Sequence, residues 1–78
     1  MNLYSYCVFR QKIGDVFHFE ILCTTEDLKS SIIVGYVLIN GKTGSISSSR
    51  LRYFQVGNKT MEESALKEYN NIKSLFKE

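Results

Sequence analysis

The stretch Ile32-Ile33-Val34-Gly35-Tyr36-Val37-Leu38-Ile39 decides the fold of this chain. Five of its eight residues are Ile or Val. Such side chains lose rotamer freedom in a helix and pack well on a pleated surface, so the stretch reads as a strand. The rival reading, a helix from Glu26 to Ile39, would remove this strand and the sheet that depends on it. Asn40-Gly41-Lys42-Thr43-Gly44 follows at once. Glycines on either side of Lys-Thr suit the positive-φ positions of a tight hairpin. The returning strand is Ser45 to Val56. Its parity is split, with Ile46, Phe54 and Val56 in one set and Leu51 and Tyr53 in the other. A bulge near Ser47-Ser48-Ser49 reconciles the two sets.

Working back toward the N-terminus, Thr24 to Ser31 is a polar connection, in which Thr25-Glu-Asp-Leu-Lys suits one helical turn. Val16 to Thr25 alternates: Phe17, Phe19, Ile21 and Cys23 have one parity, His18 and Glu20 the other. That is a strand with one buried face. Leu3 to Ile13 is aromatic and β-branched without a helical period, a second strand, and Gly14-Asp15 is the turn between them. The register of this hairpin decides what faces what. An odd loop places Leu3, Cys7 and Phe9 with Phe17, Phe19 and Ile21, and leaves Tyr4, Tyr6, Arg10, Lys12, His18 and Glu20 on the opposite face. A two-residue loop flips the first strand. The odd loop separates apolar from polar residues more cleanly and is the expected one.

Toward the C-terminus, Gly57-Asn58-Lys59 breaks the strand, and Thr60-Met-Glu-Glu63 fits a capping box with Thr60 as N-cap. Met61, Ala65, Leu66, Tyr69, Ile72 and Phe76 recur at three- and four-residue steps, one apolar stripe on a helix. Glu62 and Glu63 in the first turn and Lys77 near the end match the helix dipole. The expected architecture is therefore ββββα, an α+β fold. Four antiparallel strands in two hairpins carry one C-terminal amphipathic helix on one face. Residues 1–78 form a single domain, since 78 residues are too few for two.

Composition bounds the function. The net charge of +2 is too small to imply a polyanion partner. The longest apolar stretch, Ile32 to Ile39, is far short of the about 20 residues a membrane span needs. No basic region followed by an apolar core opens the chain, so a cytoplasmic protein with two reduced thiols, Cys7 and Cys23, is expected, with no membrane partner. One Ala, no Pro and no Trp stand beside seven Lys, seven Ile, five Asn and five Tyr, the usage of an AT-rich genome, as on phages and other mobile elements.

Catalytic sets are missing. The only histidine, His18, falls on the face opposite Cys23 by strand alternation. One His and two Cys without Cys-x-x-Cys spacing make no metal site, and no cofactor is implied. Gly41-Lys-Thr lacks the earlier glycine and the following helix of a phosphate-binding loop. Glu62, Glu63 and Glu68 belong to a solvated helix face and Asp15, Glu26 and Asp27 to turns, so no paired carboxylates for hydrolysis are in place. The expectation is a protein that is not an enzyme.

Basic and aromatic residues carry what signal remains. Arg50-Leu-Arg-Tyr-Phe54 places Arg50 and Arg52 on one side, and Arg10 stands near Tyr4 and Tyr6 on the first strand. Tyr and Arg are the usual anchors of protein interfaces. Tyr4, Tyr6, Arg10, Arg50, Arg52 and Tyr53 are the expected partner contacts. The expected function is a small protein-binding domain that occludes a surface of a host defence complex, resembling the anti-CRISPR proteins of phages and mobile elements in this respect. The alternatives are a nucleic-acid-binding module that uses the same cations to contact phosphates and stack bases, and homodimerisation through the uncovered face or an edge strand.

Overall fold

A computed structural model describes residues 3–25, 31–51 and 58–76. It contains four strands, β1 (Leu3–Ile13), β2 (Val16–Thr25), β3 (Ser31–Asn40) and β4 (Ile46–Leu51). A helix α1 (Asn58–Ile72) follows, and a 3-10 turn (Lys73–Phe76) closes the described chain. The strands lie in the order β1-β2-β3-β4, each antiparallel to the next. The fold is thus ββββα, with β2 and β3 also paired, so that the two hairpins merge into one meander. The stretch around Ile32 is a strand, and the helix reading is excluded. The helical turn expected at Thr25–Lys29, the returning strand beyond Leu51 and Lys77 lie outside the described residues.

The first hairpin corrects the odd-loop expectation in an instructive way. Ile13 pairs with Val16, so the loop is the two residues Gly14-Asp15. Gly14 has φ 58°, the left-handed conformation that two-residue turns require and side chains resist. A bulge between Phe9 and Gln11 then shifts the register by one residue. Beyond it Phe9 pairs with Phe19 and Cys7 with Ile21, which puts them on the apolar face after all. Between bulge and turn the parity is reversed. Lys12 pairs with Phe17 on the helix side, and Gln11 takes the outward place opposite His18. Lys12 is therefore not on the outer face.

Two further bulges follow the same logic. One between Leu38 and Ile39 accommodates an extra residue in β4, Ser47, so that Ile46 meets the core while Ser48 faces away. The bulge expected in the serine run is present. The other lies between Ile21 and Leu22 and accommodates Val34.

The core sits between the sheet and α1. Phe17, Phe19, Ile21, Cys23, Val34, Val37 and Ile39 meet Met61, Ala65 and Tyr69, and Cys7, Phe9, Ile46, Leu66 and Ile72 surround them. Burying one such side chain contributes about 1.5–3 kcal/mol. Met61, Ala65 and Tyr69 are spaced by four, which brings them onto one side of the helix. The helix begins two residues before Thr60, so Thr60 is a helical residue and not the cap, and no acid occupies the first turn. Phe76 belongs to the 3-10 turn, yet still reaches the core edge, its ring 5.5 Å from Phe9 and 5.3 Å from Phe17. Ser49 Oγ donates to Glu62 Oε1 at 2.8 Å and ties β4 to α1.

Both hairpin turns lie at one end of the sheet and touch. Gly41 N–H donates to the Asp15 carbonyl at 2.6 Å. Of the two glycines in the second turn only Gly44 has positive φ, 72°. Gly41 is needed for a different reason: a Cβ there would stand 2.8 Å from the Asp15 carbonyl oxygen and 2.8 Å from Phe17 Cε1. Asn40 Oδ1 accepts from the backbone of Lys42 at 2.8 Å and Thr43 at 3.3 Å. These amides are thereby occupied within the turn, and a strand follows it, which is not how a phosphate-binding loop is built.

Candidate functional site

The helix covers one face of the sheet, and the register assembles the other from cross-strand rows. Tyr6, Leu22 and Ile33 form one row. Val8, Glu20, Tyr36 and Arg50 form the next, spanning all four strands. Gln11, His18, Leu38 and Ser48 form a third, and Ile13, Val16 and Asn40 a fourth at the turn end. Side chains within such a row stand close enough to touch.

The first row is apolar and only its centre is protected. Leu22 is 8% exposed although α1 packs on the other face, and Tyr6 and Ile33 flank it. Tyr6 at 43% and Ile33 at 47% face solvent. In the second row Arg10, at the bulge, donates from Nε to Glu20 Oε1. Arg50 pairs with Tyr36 across β3 and β4, and no carboxylate among the described residues engages it. A cleft of about 290 Å³ opens beside it, lined by Ile33, Gly35, Tyr36 and Arg50.

The expected contacts divide as follows. Tyr6, Arg10 and Arg50 share the uncovered face. The side chain of Tyr4, and Arg52 and Tyr53 altogether, lie outside the described residues. Ile33 and Tyr36 were not among the expected contacts. They have opposite parity, and in a regular strand they would face opposite ways. The Val34 bulge brings both outward, and Val34 itself is buried. The signal for it was present in the unbroken apolar run, which no regular alternation could place.

The groups capable of nucleophilic or metal chemistry are scattered. His18 is half-buried on the outer face, while Cys23 is buried on the inner one. Cys7 lies opposite Ile21 and Cys23 opposite Ser5, so the two thiols do not face each other across the hairpin, and no disulfide joins them. Burial, aided by the Glu68 carboxylate, pushes the Cys7 thiol up to about 11, which keeps it protonated and unreactive near neutrality. Among the described residues no cluster of His, Cys, Asp and Glu is able to hold a metal ion. No described helix is long and apolar enough to cross a membrane.

With this geometry in view, comparisons with known proteins add nothing: no protein-family model matches the chain, and neither does any curated protein or solved structure.

Proposed function

We propose that this chain is a small protein-binding domain that docks its uncovered sheet face on an acidic surface of a partner and acts by occluding it. The observation that carries this reading is the row Tyr6–Leu22–Ile33 lying beside the Tyr36–Arg50 pair and its cleft. Exposed apolar side chains on a sheet face lose water favourably when covered. An arginine beside a tyrosine and an isoleucine gains most from a carboxylate delivered in that same event. Among the described residues two guanidiniums, Arg10 and Arg50, stand against the single carboxylate of Glu20 on this face, so the complementary surface is acidic. The AT-rich usage and small size support placing it among the inhibitors that phages and mobile elements direct at host complexes. Nucleic acid is less well supported, because a net charge of +2 and a face on which Arg10 is already engaged by Glu20 offer few cations for phosphates.

The test uses a photo-crosslinking residue at Tyr6, and separately at Lys67 on the exposed side of α1, in cells of the native host. Adducts to one acidic protein from position 6 and none from position 67 support the reading. Arg50→Glu should then weaken binding of that purified protein by about 2 kcal/mol or more, the scale of a hot spot. Identical adducts from both positions, adducts to nucleic acid alone, or adducts only to a second copy of this chain would overturn it. Expression in a host under phage challenge supplies the biological readout: plaque formation should rise with the wild-type chain and not with Arg50→Glu.

A further inference from the structure

At the opposite side of the molecule a second cleft of about 300 Å³ lies between the two hairpin turns and the C-terminal 3-10 turn, lined by Lys12, Asp15, Phe17, Gly41, Tyr69, Lys73 and Phe76. Its floor is aromatic. Phe17 packs edge-to-face against Tyr69 at 5.0 Å and against Phe76 at 5.3 Å. Two ammonium groups overhang that floor. Lys12 Nζ stands 5.9 Å from the centre of the Phe17 ring, and Lys73 Nζ 5.6 Å from that of Tyr69. Asp15, the one carboxylate on the rim among the described residues, is engaged by Lys42 at 3.4 Å. Neither Lys12 nor Lys73 has a carboxylate partner among the described residues. An aromatic floor with a few convergent polar groups at its edge is the common make-up of a small-ligand site, and the volume is at the lower end of the usual range.

We propose that this cleft binds a small planar ring bearing an anionic group. The ring lies against Phe76, which is 37% exposed, at the edge of the buried Phe17 and Tyr69 rings, and the anion is drawn between Lys12 and Lys73. Offset or edge-to-face contact with the floor favours an aromatic ring over an aliphatic one. The two positive charges, without a carboxylate partner among the described residues, favour an anion over a neutral ring. Because the bulge after Phe9 is what turns Lys12 to the helix side, the site depends on a register feature and not on the sequence pattern alone. It is separate from the outer sheet face and does not depend on the function proposed for that face.

A nucleotide and a phosphorylated aromatic compound share this chemistry, and the test distinguishes them. The folded chain is titrated with adenosine monophosphate, with phenyl phosphate and with phenol, while amide and aromatic-ring resonances are followed by NMR. Saturable shifts confined to Lys12, Asp15, Gly41, Tyr69, Lys73 and Phe76 are expected with at least one phosphate, and whichever produces them identifies the ligand class. Phenol should bind about tenfold more weakly, and Lys12→Gln with Lys73→Gln should remove the same about tenfold advantage, since each exposed charge contributes modestly. Both lysines are exposed, so the double variant keeps its fold, which the dispersion of the remaining resonances verifies. No saturable shift by about 10 mM of either phosphate, a ceiling typical of weak fragment binding, equal binding of phenol, or undiminished binding by the double variant would each overturn the proposal.

Discussion

Replacing Gly41 by alanine places a methyl group 2.8 Å from the Asp15 carbonyl oxygen and 2.8 Å from Phe17 Cε1. Neither obstacle yields cheaply. The oxygen belongs to the backbone of a two-residue turn, and the Phe17 ring is buried and held by Phe9, Tyr69 and Phe76. Overpacking of this kind sits in the upper half of its usual range, about 2–3 kcal/mol. Moving the turns apart also weakens the Gly41 N–H to Asp15 bond, about 1 kcal/mol more. Alanine recovers about 0.4–1 kcal/mol by restricting the unfolded chain, so the net cost is about 2–3 kcal/mol. A chain of 78 residues has about 4–12 kcal/mol in total. At about 4–8 °C per kcal/mol for this size the melting temperature should fall by about 10–20 °C. Circular dichroism melts and urea titrations measure both quantities. Gly14→Ala and Gly44→Ala are the controls. Both positions have positive φ, but Gly14 has open space around its Cβ direction and Gly44 only an ordinary 4.0 Å contact with Tyr69. They should cost the conformational penalty alone, about 1–2 kcal/mol. A Gly41→Ala melt within about 4 °C of wild type, or above that of Gly14→Ala, would refute the reasoning that close approach of the turns, and not backbone conformation, selects glycine at this position.

Three further outcomes are expected. The Cys7 thiol, held up to about 11 by burial and by Glu68, is an acid whose pKa rises on folding from an ordinary 9.0. Its contribution to stability is therefore fully present below about pH 9 and is lost as pH climbs toward 11. Urea midpoints measured at both ends of that window should fall more for the wild type than for Cys7→Ala, and an equal fall removes the effect. Ser49→Ala, which leaves the Glu62 carboxylate without its 2.8 Å donor, should cost about 1 kcal/mol by urea titration. Phe19→Ala, at a side chain 1% exposed in the middle of the core, should cost about 3–5 kcal/mol and leave much of the population unfolded, read as lost NMR dispersion.

Much of this architecture was legible because the residues obey simple rules locally. The bounds of β1 and β2 follow from aromatic and β-branched content between Gly14-Asp15 and a polar connection, and the structure keeps the same bounds. The four-residue spacing of Met61, Ala65 and Tyr69 announced the buried side of α1. The start of that helix was not legible. A capping box at Thr60 is a local signal, and the chain begins its helical hydrogen bonding at Asn58 instead. The glycine pair around Lys42-Thr43 was legible as a turn, but not the different task of each glycine. Close approach between two turns far apart in sequence leaves no trace in either one.

What the uncovered face displays depends on the three bulges, and these explain why its membership was only partly readable. A strand's side chains alternate strictly, so one extra residue inverts every facing beyond it. In β1 the extra residue removes Lys12 from the outer face and gives it to the aromatic cleft. In β3 it puts Ile33 and Tyr36 on the same side, where they wall the cleft beside Arg50. In β4 it turns Ile46 inward while Ser48 and Arg50 stay outward. A period-two reading of each strand taken alone must miss such switches, because a bulge is specified by the pairing of two strands. The apolar pattern nonetheless constrains them. Carried unbroken from the hairpin turns, alternation would have buried Arg10 and exposed Phe9 in β1, exposed Val34 in β3, and buried Ser48 and Arg50 in β4. Irregular parity in a strand-forming segment is thus itself a signal of where a sheet bends its own rule, and in this protein both clefts are bordered by residues whose facing was set at such points.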